Sequence, residues 1–164
     1  ECERIQSRVV RLASGVAVIH VGGATEVEMT EKKHRIEDAL EAVKSAQEEG
    51  IVCGGGAALL RASNSLVVAA NNSEQALGGT IVQQACQEPI RQMALNAGKS
   101  PDLIIKDVLS AETDHGWDFR DNCLTNMIER GIIDPVKVTR TALQNAASCA
   151  GTLITTNYGI IQTG

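Results

Sequence analysis

The spacing of apolar positions divides the first third of the chain into a β-like run and a long amphipathic helix. Residues 16–21 are mostly β-branched and lie between glycines, which predicts a strand. Residues 26–49 are highly charged, and apolar residues recur within them every three or four positions. These positions are Ile36, Ala39, Leu40, Val43 and Ala46. We expect a helix with a solvated charged face that ends at Gly50.

Shorter helical patterns account for most of the remaining chain. They cover residues 3–13, 57–70, 74–87, 90–96, 101–110 and 122–130. Asp134 and Pro135 are typical of a helix N-cap and first position, so a last helix should begin there and run to about residue 150. Residues 111–121 predict a polar loop, and residues 153–156 and 159–161 a β-like tail. The pattern therefore predicts a mainly α fold with minor β strands near both ends.

The amino-acid composition argues against several classes of protein and of function. The 164 residues are 43% hydrophobic and 21% charged, which argues against disorder. The only aromatic residues are Trp117, Phe119 and Tyr158, so an aliphatic core of closely packed helices is expected. A net charge of −5 without a basic run argues against binding nucleic acid or an anionic membrane. No apolar run approaches the length of a membrane span.

The five cysteines are scattered, odd in number and free of any CxxC pair. This pattern argues against a disulfide framework and favours a reducing compartment. The three histidines do not pair with them at metal-ligand spacing, so no metal site is predicted.

Three features carry candidate chemistry. Gly54, Gly55 and Gly56 open a predicted helix, where glycines and free helical N–H groups favour an anion such as phosphate. On spacing alone, a flexible hinge is the favoured interpretation of this run. Asp38 adjoins an apolar helix face and could orient a water, although a solvated helix aspartate is the simpler reading. Asp134 already has a structural role as N-cap.

Longer runs of sequence resemble one family. Residues 14–29 and the stretch from residue 31 to Glu-Glu-Gly-Ile-Val-Cys-Gly-Gly-Gly at 48–56 resemble the group I chaperonins, the chaperonin-60 family. So do Met-Ile-Glu-Arg-Gly-Ile-Ile-Asp-Pro at 127–135 and the residues that follow to 151. The region between residues 63 and 111 matches more loosely. The resemblance covers nearly the whole chain and implies the multi-helical equatorial-domain type of fold.

Members of this family are much longer, and this chain does not begin with Met. The resemblance therefore implies a C-terminal portion in three parts. Residues 1–14 would end the apical segment, residues 15–49 would belong to the intermediate domain, and residues 50–164 would form the C-terminal half of the equatorial domain. Gly15 and Gly50 would be the two hinges.

The resemblance also implies site residues. Asp38 would activate the attacking water, Gly55 would contact the nucleotide, and Asp134 would hold the ribose. Asp118 and Phe119 align with residues that contact the purine, and Ile132 fits the same pocket. The phosphate loop and the Asp-Gly-Thr-Thr-Thr segment of the family have no counterpart here. The resemblance thus implies ATP as cofactor, Mg²⁺ held mainly by residues outside this chain, and no turnover by these residues alone.

Two departures point to a divergent member, for which a phage-encoded origin is one interpretation. Asp118-Phe119-Arg120 stands where the family commonly has Asn-Ala-Ala. At the contact between two rings the family often has a glutamate paired with an arginine. Here Ser100 replaces the glutamate, Arg91 is kept, and Asp102 is the nearest acid.

The family builds seven-membered rings of one subunit that enclose unfolded proteins, driven by ATP and closed by a co-chaperonin lid. The resemblance implies those partners, neither nucleic acid nor membrane, and favours the cytoplasm of a bacterial or phage-infected cell over the mitochondrial matrix. Two alternatives stay open: a non-enzymatic helical interaction module derived from that fold, and an unrelated phosphate-binding enzyme that uses the glycine run.

Overall fold

The computed structural model of the chain describes residues 4–5, 8–9, 15 and 17–162. It divides into two compact units, Glu1–Ala39 and Leu40–Gly164. The helix predicted over residues 3–13 lies largely outside the described residues, as does the first predicted part, residues 1–14. No helix in the described part is both long enough and apolar enough to cross a membrane.

The first long helix, α1, spans Glu26–Glu49. Its start is a capping motif: the Thr25 hydroxyl accepts a hydrogen bond from the backbone N–H of Glu28 at 3.2 Å, and the Glu28 carboxylate accepts one from Ala24 N–H at 2.9 Å. Ion pairs between residues four apart, such as Lys32 with Glu28 and Lys33 with Glu37, cover its exposed face. The predicted solvated face is therefore confirmed.

The end of α1 also matches the prediction. Gly50 adopts a left-handed conformation with φ of 85°, and its N–H donates to the carbonyl of Ala46 at 2.8 Å. Such a conformation favours glycine because it has no Cβ. Two ion pairs, Glu48 with Lys137 and Glu49 with Arg140, hold the last turn of α1 against the start of the final helix.

Beyond Gly50 the larger unit combines five more helices with two small antiparallel sheets. The helices of this unit are α2 Ala57–Ser65, α3 Ser73–Ala85, α4 Glu88–Asn96, α5 Pro101–Ser110 and α6 Val136–Ile154. The strands are β1 Ile51–Cys53, β2 His115–Asp118, β3 Cys123–Asn126 and β4 Ile133–Pro135. Strand β1 pairs with β4, and β2 with β3.

The core of this unit lies between α2, α4 and α5. Its fully or nearly buried members are Ala57, Leu60, Ile90, Ala94, Ile104, Ile105 and Val108. Trp117 and Phe119 are only partly buried and pack against this cluster. The predicted aliphatic core is confirmed, because small aliphatic side chains let the three helices approach closely.

The mainly helical fold with minor strands is confirmed, but several elements differ from the prediction. Residues 17–21 form no strand: a strand needs a hydrogen-bonded partner strand, and neither of the sheets in the described residues includes them. Helix α6 continues to Ile154, and no strand follows it as far as residue 162. The helix predicted over residues 57–70 ends at Ser65. The predicted loop and helix at residues 111–130 are instead a hairpin of β2 and β3.

Candidate functional site

The glycine run forms a tight turn between β1 and α2. Gly55 and Gly56 are left-handed, with φ of 63° and 74°, and Gly54 N–H donates to the carbonyl of Ile132 at 2.9 Å. A Cβ on Gly54 would lie 3.0 Å from Ile132 O, and a Cβ on Gly56 would lie 2.9 Å from the backbone nitrogen of Ile90. The run is therefore a packed turn, not the free linker that the hinge interpretation requires.

Asp134 lies beside this turn. It occupies the middle of β4, where it pairs with Val52 of β1. Its carboxylate is half-buried, and within the described part of the chain no hydrogen bond or ion pair reaches it. Burial without a compensating partner raises the pKa of Asp134 above its ordinary value. An unpaired, desolvated carboxylate is costly, and such groups are concentrated at functional sites.

The predicted capping role of Asp134 is wrong. The N-cap of α6 is Pro135, which has no side chain able to cap, and the helix begins at Val136. The reason is the β1–β4 ladder, which holds Asp134 in an extended conformation, while Val136 N–H donates to the carbonyl of Gly50 at 3.1 Å. The carboxylate of Asp134 is therefore free of the structural task that the sequence suggested.

Ile132 joins Gly55 and Asp134 in the same place. Its carbonyl receives the Gly54 N–H, and its own N–H donates to the carbonyl of Met127 at 2.8 Å. These two bonds hold the half-buried Ile132 beside Gly54 of the glycine turn. Ile132 precedes Asp134 by two residues. The structure thus places Asp134 on the β1–β4 ladder, with Gly55 and Ile132 in the segments that directly adjoin its two strands.

Asp118 and Phe119 lie at the end of β2. The Asp118 side chain is almost fully buried, and its Oδ1 accepts hydrogen bonds from the backbone of Arg120 at 2.8 Å and of Asp121 at 3.3 Å. This is an aspartate turn that closes the β2–β3 hairpin. Phe119 packs against the aliphatic core. Both residues have structural contacts, and the nearest link from β2 to Gly55 is through Trp117, whose carbonyl lies 3.6 Å from the position of a Gly55 Cβ.

Asp38 belongs to the Glu1–Ala39 unit, whereas the residues above belong to the larger unit. It is exposed on α1, at one end of an open surface groove of about 720 Å³. The described residues that line this groove are Glu26, Val27, Thr30, Glu31, His34, Arg35 and Asp38. No hydrogen bond or ion pair within the described residues engages the Asp38 carboxylate, which leaves it available to a water or a ligand.

Two further findings concern groups that the sequence did not single out or left in doubt. Arg61 on α2 extends its guanidinium to four backbone carbonyls, an arrangement without any local sequence signal. The cysteines that the structure describes are free, and burial raises the pKa of the Cys53 and Cys86 thiols. Within the described ranges no three His, Cys, Asp or Glu side chains are grouped as metal ligands.

The raised pKa of Asp134 predicts a pH-dependent effect on stability. Because the pKa is higher in the folded than in the unfolded chain, stability falls as pH rises from the ordinary aspartate range through the raised pKa. Asp134→Asn should therefore unfold at higher urea than wild type at pH 7, and this advantage should vanish at pH values below about 4. Urea titrations at several pH values test this, with Asp107→Asn, at an exposed position of α5, as control. An Asn variant that is less stable than wild type at pH 7 would contradict it.

Comparisons with known proteins indicate the family of the chain. The family model of the TCP-1/cpn60 chaperonin family matches residues 5–163. The chain is also similar to a crystal structure of a group III chaperonin in the open state, with a TM-score of 0.73 and 27% identity. That similarity covers 90% of this chain and 31% of the chaperonin chain, so the 164 residues span less than a third of its length. The match over almost every residue shows that the chain belongs to the TCP-1/cpn60 chaperonin family.

Proposed function

We propose that this chain is the C-terminal portion of an ATP-driven ring chaperonin and supplies one side of its nucleotide site. One observation carries the proposal: the Asp134 carboxylate is desolvated and unpaired next to a left-handed glycine turn at a helix N-terminus. A ribose hydroxyl is the kind of donor that such a carboxylate lacks. Family membership supports nucleotide hydrolysis as the purpose of the site.

The residues present fit the sugar and base side of a nucleotide. Gly55 offers backbone without a side chain, and the N-terminus of α2 directly after it favours negative charge. Ile132 offers half-buried apolar surface close to Asp134. Because the family's phosphate loop and Asp-Gly-Thr-Thr-Thr segment have no counterpart in these residues, Mg²⁺ and the phosphates would be held mainly by residues outside this chain. Bound Mg²⁺ would neutralise the phosphate charge that develops during hydrolysis.

Asp38 is proposed to orient the attacking water and to take its proton. Its exposed carboxylate has the availability that this task needs, and a carboxylate is a competent general base. Asp118 and Phe119 are proposed to line the purine side. The contacts of Asp118 with its own hairpin support a role in shaping that wall rather than in direct hydrogen bonding to the base.

We propose that the complete protein belongs to the group I branch, on the strength of the sequence runs at residues 14–56 and 127–151, although the similar solved structure is a group III chaperonin. This assignment carries the domain parts 1–14, 15–49 and 50–164, a homo-oligomeric ring, unfolded proteins as substrates, and a co-chaperonin lid. The proposed location is the cytoplasm of a bacterial or phage-infected cell in preference to the mitochondrial matrix. Membership of the chaperonin family removes the unrelated phosphate-binding enzyme as an alternative.

The interaction module is the remaining alternative, and ATP turnover separates it from the machine. We expect the full-length protein to hydrolyse ATP and to increase the yield of a refolding substrate in an ATP-dependent manner. The 164 residues alone should release no phosphate at millimolar ATP, because the family's phosphate loop has no counterpart in them. Both assays need Asp38→Ala as a control for contaminating ATPases. A full-length protein that binds unfolded chains but neither binds nor hydrolyses ATP would favour the module.

The contact between two rings is expected to be weak. Arg91, which aligns with the arginine at that contact, instead pairs with Asp102 of the same chain, with 3.0 Å between Nη1 and Oδ1. Ser100 offers no charge to an opposing arginine. Each lost exposed pair is worth only about 0.2–1 kcal/mol, but the loss repeats at every subunit of the ring.

Native mass measurement of the full-length protein at low concentration should therefore detect single rings. Ser100→Glu should shift the population toward double rings, because it restores an acid at this position, whereas Ser110→Glu, at the end of α5, should not. Double rings alone under every salt and nucleotide condition would contradict the prediction.

A further inference from the structure

One arginine in the larger unit holds together two segments that are distant in sequence. The Arg61 guanidinium donates hydrogen bonds to four backbone carbonyls within residues 108–115. The acceptors are Val108 at 2.8 Å, Ala111 at 3.3 Å, Glu112 at 2.6 Å and His115 at 2.8 Å. Three of the four bonds come from Nη2, whose two hydrogens must be shared among three carbonyls, and the fourth comes from Nη1, so the arrangement uses both amino groups of the planar guanidinium.

The four carbonyls lie at the end of α5 and along the approach to β2. Carbonyls at a helix C-terminus lack partners within the helix and carry partial negative charge, which a cation stabilises. In the loop that follows, the Glu112 carbonyl already accepts the His115 N–H at 3.0 Å, and Arg61 is its second donor. Arg61 therefore fastens the whole connection between α5 and β2 onto α2, the helix that begins directly after the glycine turn.

Strand β2 in turn packs against the glycine turn and against Ala57, the first residue of α2. A Cβ on Gly116 would lie 3.2 Å from the Cβ of Ala57 and 2.8 Å from Cγ of Met127, so the backbone of β2 packs directly against these two side chains. The next carbonyl, that of Trp117, faces Gly55. Because Arg61 holds the start of β2 and Gly116 holds its middle, the distance from Gly55 to the end of β2 is determined by these two contacts.

We infer that Arg61 is a positioning residue that sets the spacing between the glycine turn and the β2–β3 hairpin, and thereby the width of the nucleotide pocket. The inference rests on the proposed function, because the pocket walls it concerns are Gly55 on one side and Asp118 and Phe119 on the other. Arg61 touches neither nucleotide nor water in this role. Its effect should therefore fall on nucleotide affinity and not on the chemical step.

Arg61→Lys in the full-length protein is the informative variant. Lysine keeps the charge and the helix propensity, but its single ammonium cannot serve four carbonyls spread over eight residues. We expect the KM for ATP to rise about tenfold, the size of losing one charge-assisted contact, with kcat at saturating ATP within about twofold of wild type. Hydrogen exchange without nucleotide should accelerate at residues 115–126 and not at residues 51–53 and 133–135.

Ile104→Val is the matched control, because it loosens the buried core on α5 without touching the four carbonyls. It should lower the melting temperature and leave the KM for ATP unchanged. An unchanged KM in a folded Arg61→Lys protein, or the same rise in Ile104→Val, would overturn the inference while leaving the proposed function intact. A wild-type full-length protein that binds no ATP would overturn the proposed function, and this inference with it.

Discussion

Asp38→Ala in the full-length protein is expected to lower kcat for ATP hydrolysis about 100-fold while leaving ATP affinity nearly unchanged. A group that orients the attacking water stabilises the transition state and not the bound substrate, so its loss appears in kcat and not in binding. We also expect the fold to stay intact without this carboxylate, because it is exposed and makes no hydrogen bond or ion pair within the described residues.

Steady-state kinetics and a direct measurement of ATP binding separate the two effects. Glu37→Gln is the matched control: this residue is the neighbour of Asp38 on the same helix, and it is exposed and engaged only with Lys33 in the described structure. The control should keep kcat within about twofold of wild type. If Asp38→Ala does the same, Asp38 is only a solvated residue of α1. A rise in KM with an unchanged kcat would assign it to binding instead.

Gly56→Ala should be the most destabilising single change in the glycine turn. Alanine at Gly56 would adopt a left-handed φ of 74° and would place its Cβ 2.9 Å from the backbone nitrogen of Ile90. The conformational strain costs about 1–2 kcal/mol. Forcing α4 away from the turn costs about 1–3 kcal/mol more, so we expect a loss of about 2–5 kcal/mol.

Two other glycines separate these contributions. Gly131 has a φ of 71° but nothing within 4 Å of its Cβ position, so Gly131→Ala should show the strain alone. Gly54→Ala would meet Ile132 O at 3.0 Å without a positive φ, so it should show the steric part alone. Urea unfolding followed by the fluorescence of Trp117, the single tryptophan, measures all three. Equal destabilisation by Gly56→Ala and Gly131→Ala would mean that the packed turn relaxes freely.

Local signals in the sequence predicted the elements whose ends depend on nearby residues. Helix α5 begins at Pro101 and ends at Ser110 as predicted, because proline at the first position determines its start. The end of α1 at Gly50 followed from the same kind of rule. The Thr25–Glu28 pair has the three-residue spacing that is typical of a capping motif, so the start of α1 was also predictable from local sequence, although we did not predict it.

The errors have a common cause in contacts between distant residues. Strand β4 pairs with β1 about eighty positions earlier in the chain, and this pairing holds Asp134 in a strand, whereas the Asp134–Pro135 pair predicted the start of a helix. The hairpin at residues 115–126 was assigned to a loop and a helix because its strands are only four residues long. For the same reason no local pattern marked Arg61, whose acceptors lie some fifty residues further along the chain.

The candidate site was predictable in part. The resemblance implies that Gly55, Ile132 and Asp134 belong to one site, and this stays a prediction. The β1–β4 ladder and the hydrogen bond from Gly54 N–H to Ile132 O show that the chain segments carrying these residues are adjacent. Nothing in the local sequence indicated that the glycines are needed for close contact with Ile90 and Ile132, because that requirement comes from tertiary packing. The hydrogen bonds of Asp118 within its turn could not be predicted either, because they depend on the β2–β3 hairpin.

The most direct test of a nucleotide site built around Asp134 is calorimetric titration of the full-length protein with ATP and with 2′,3′-dideoxy-ATP. If the Asp134 carboxylate holds the ribose, the wild-type protein should bind ATP about tenfold more tightly than the dideoxy compound. Asp134→Ala should lose this discrimination and bind both compounds with the weaker affinity. Equal discrimination by wild type and Asp134→Ala, or no binding of ATP by the wild type, would contradict the proposed site.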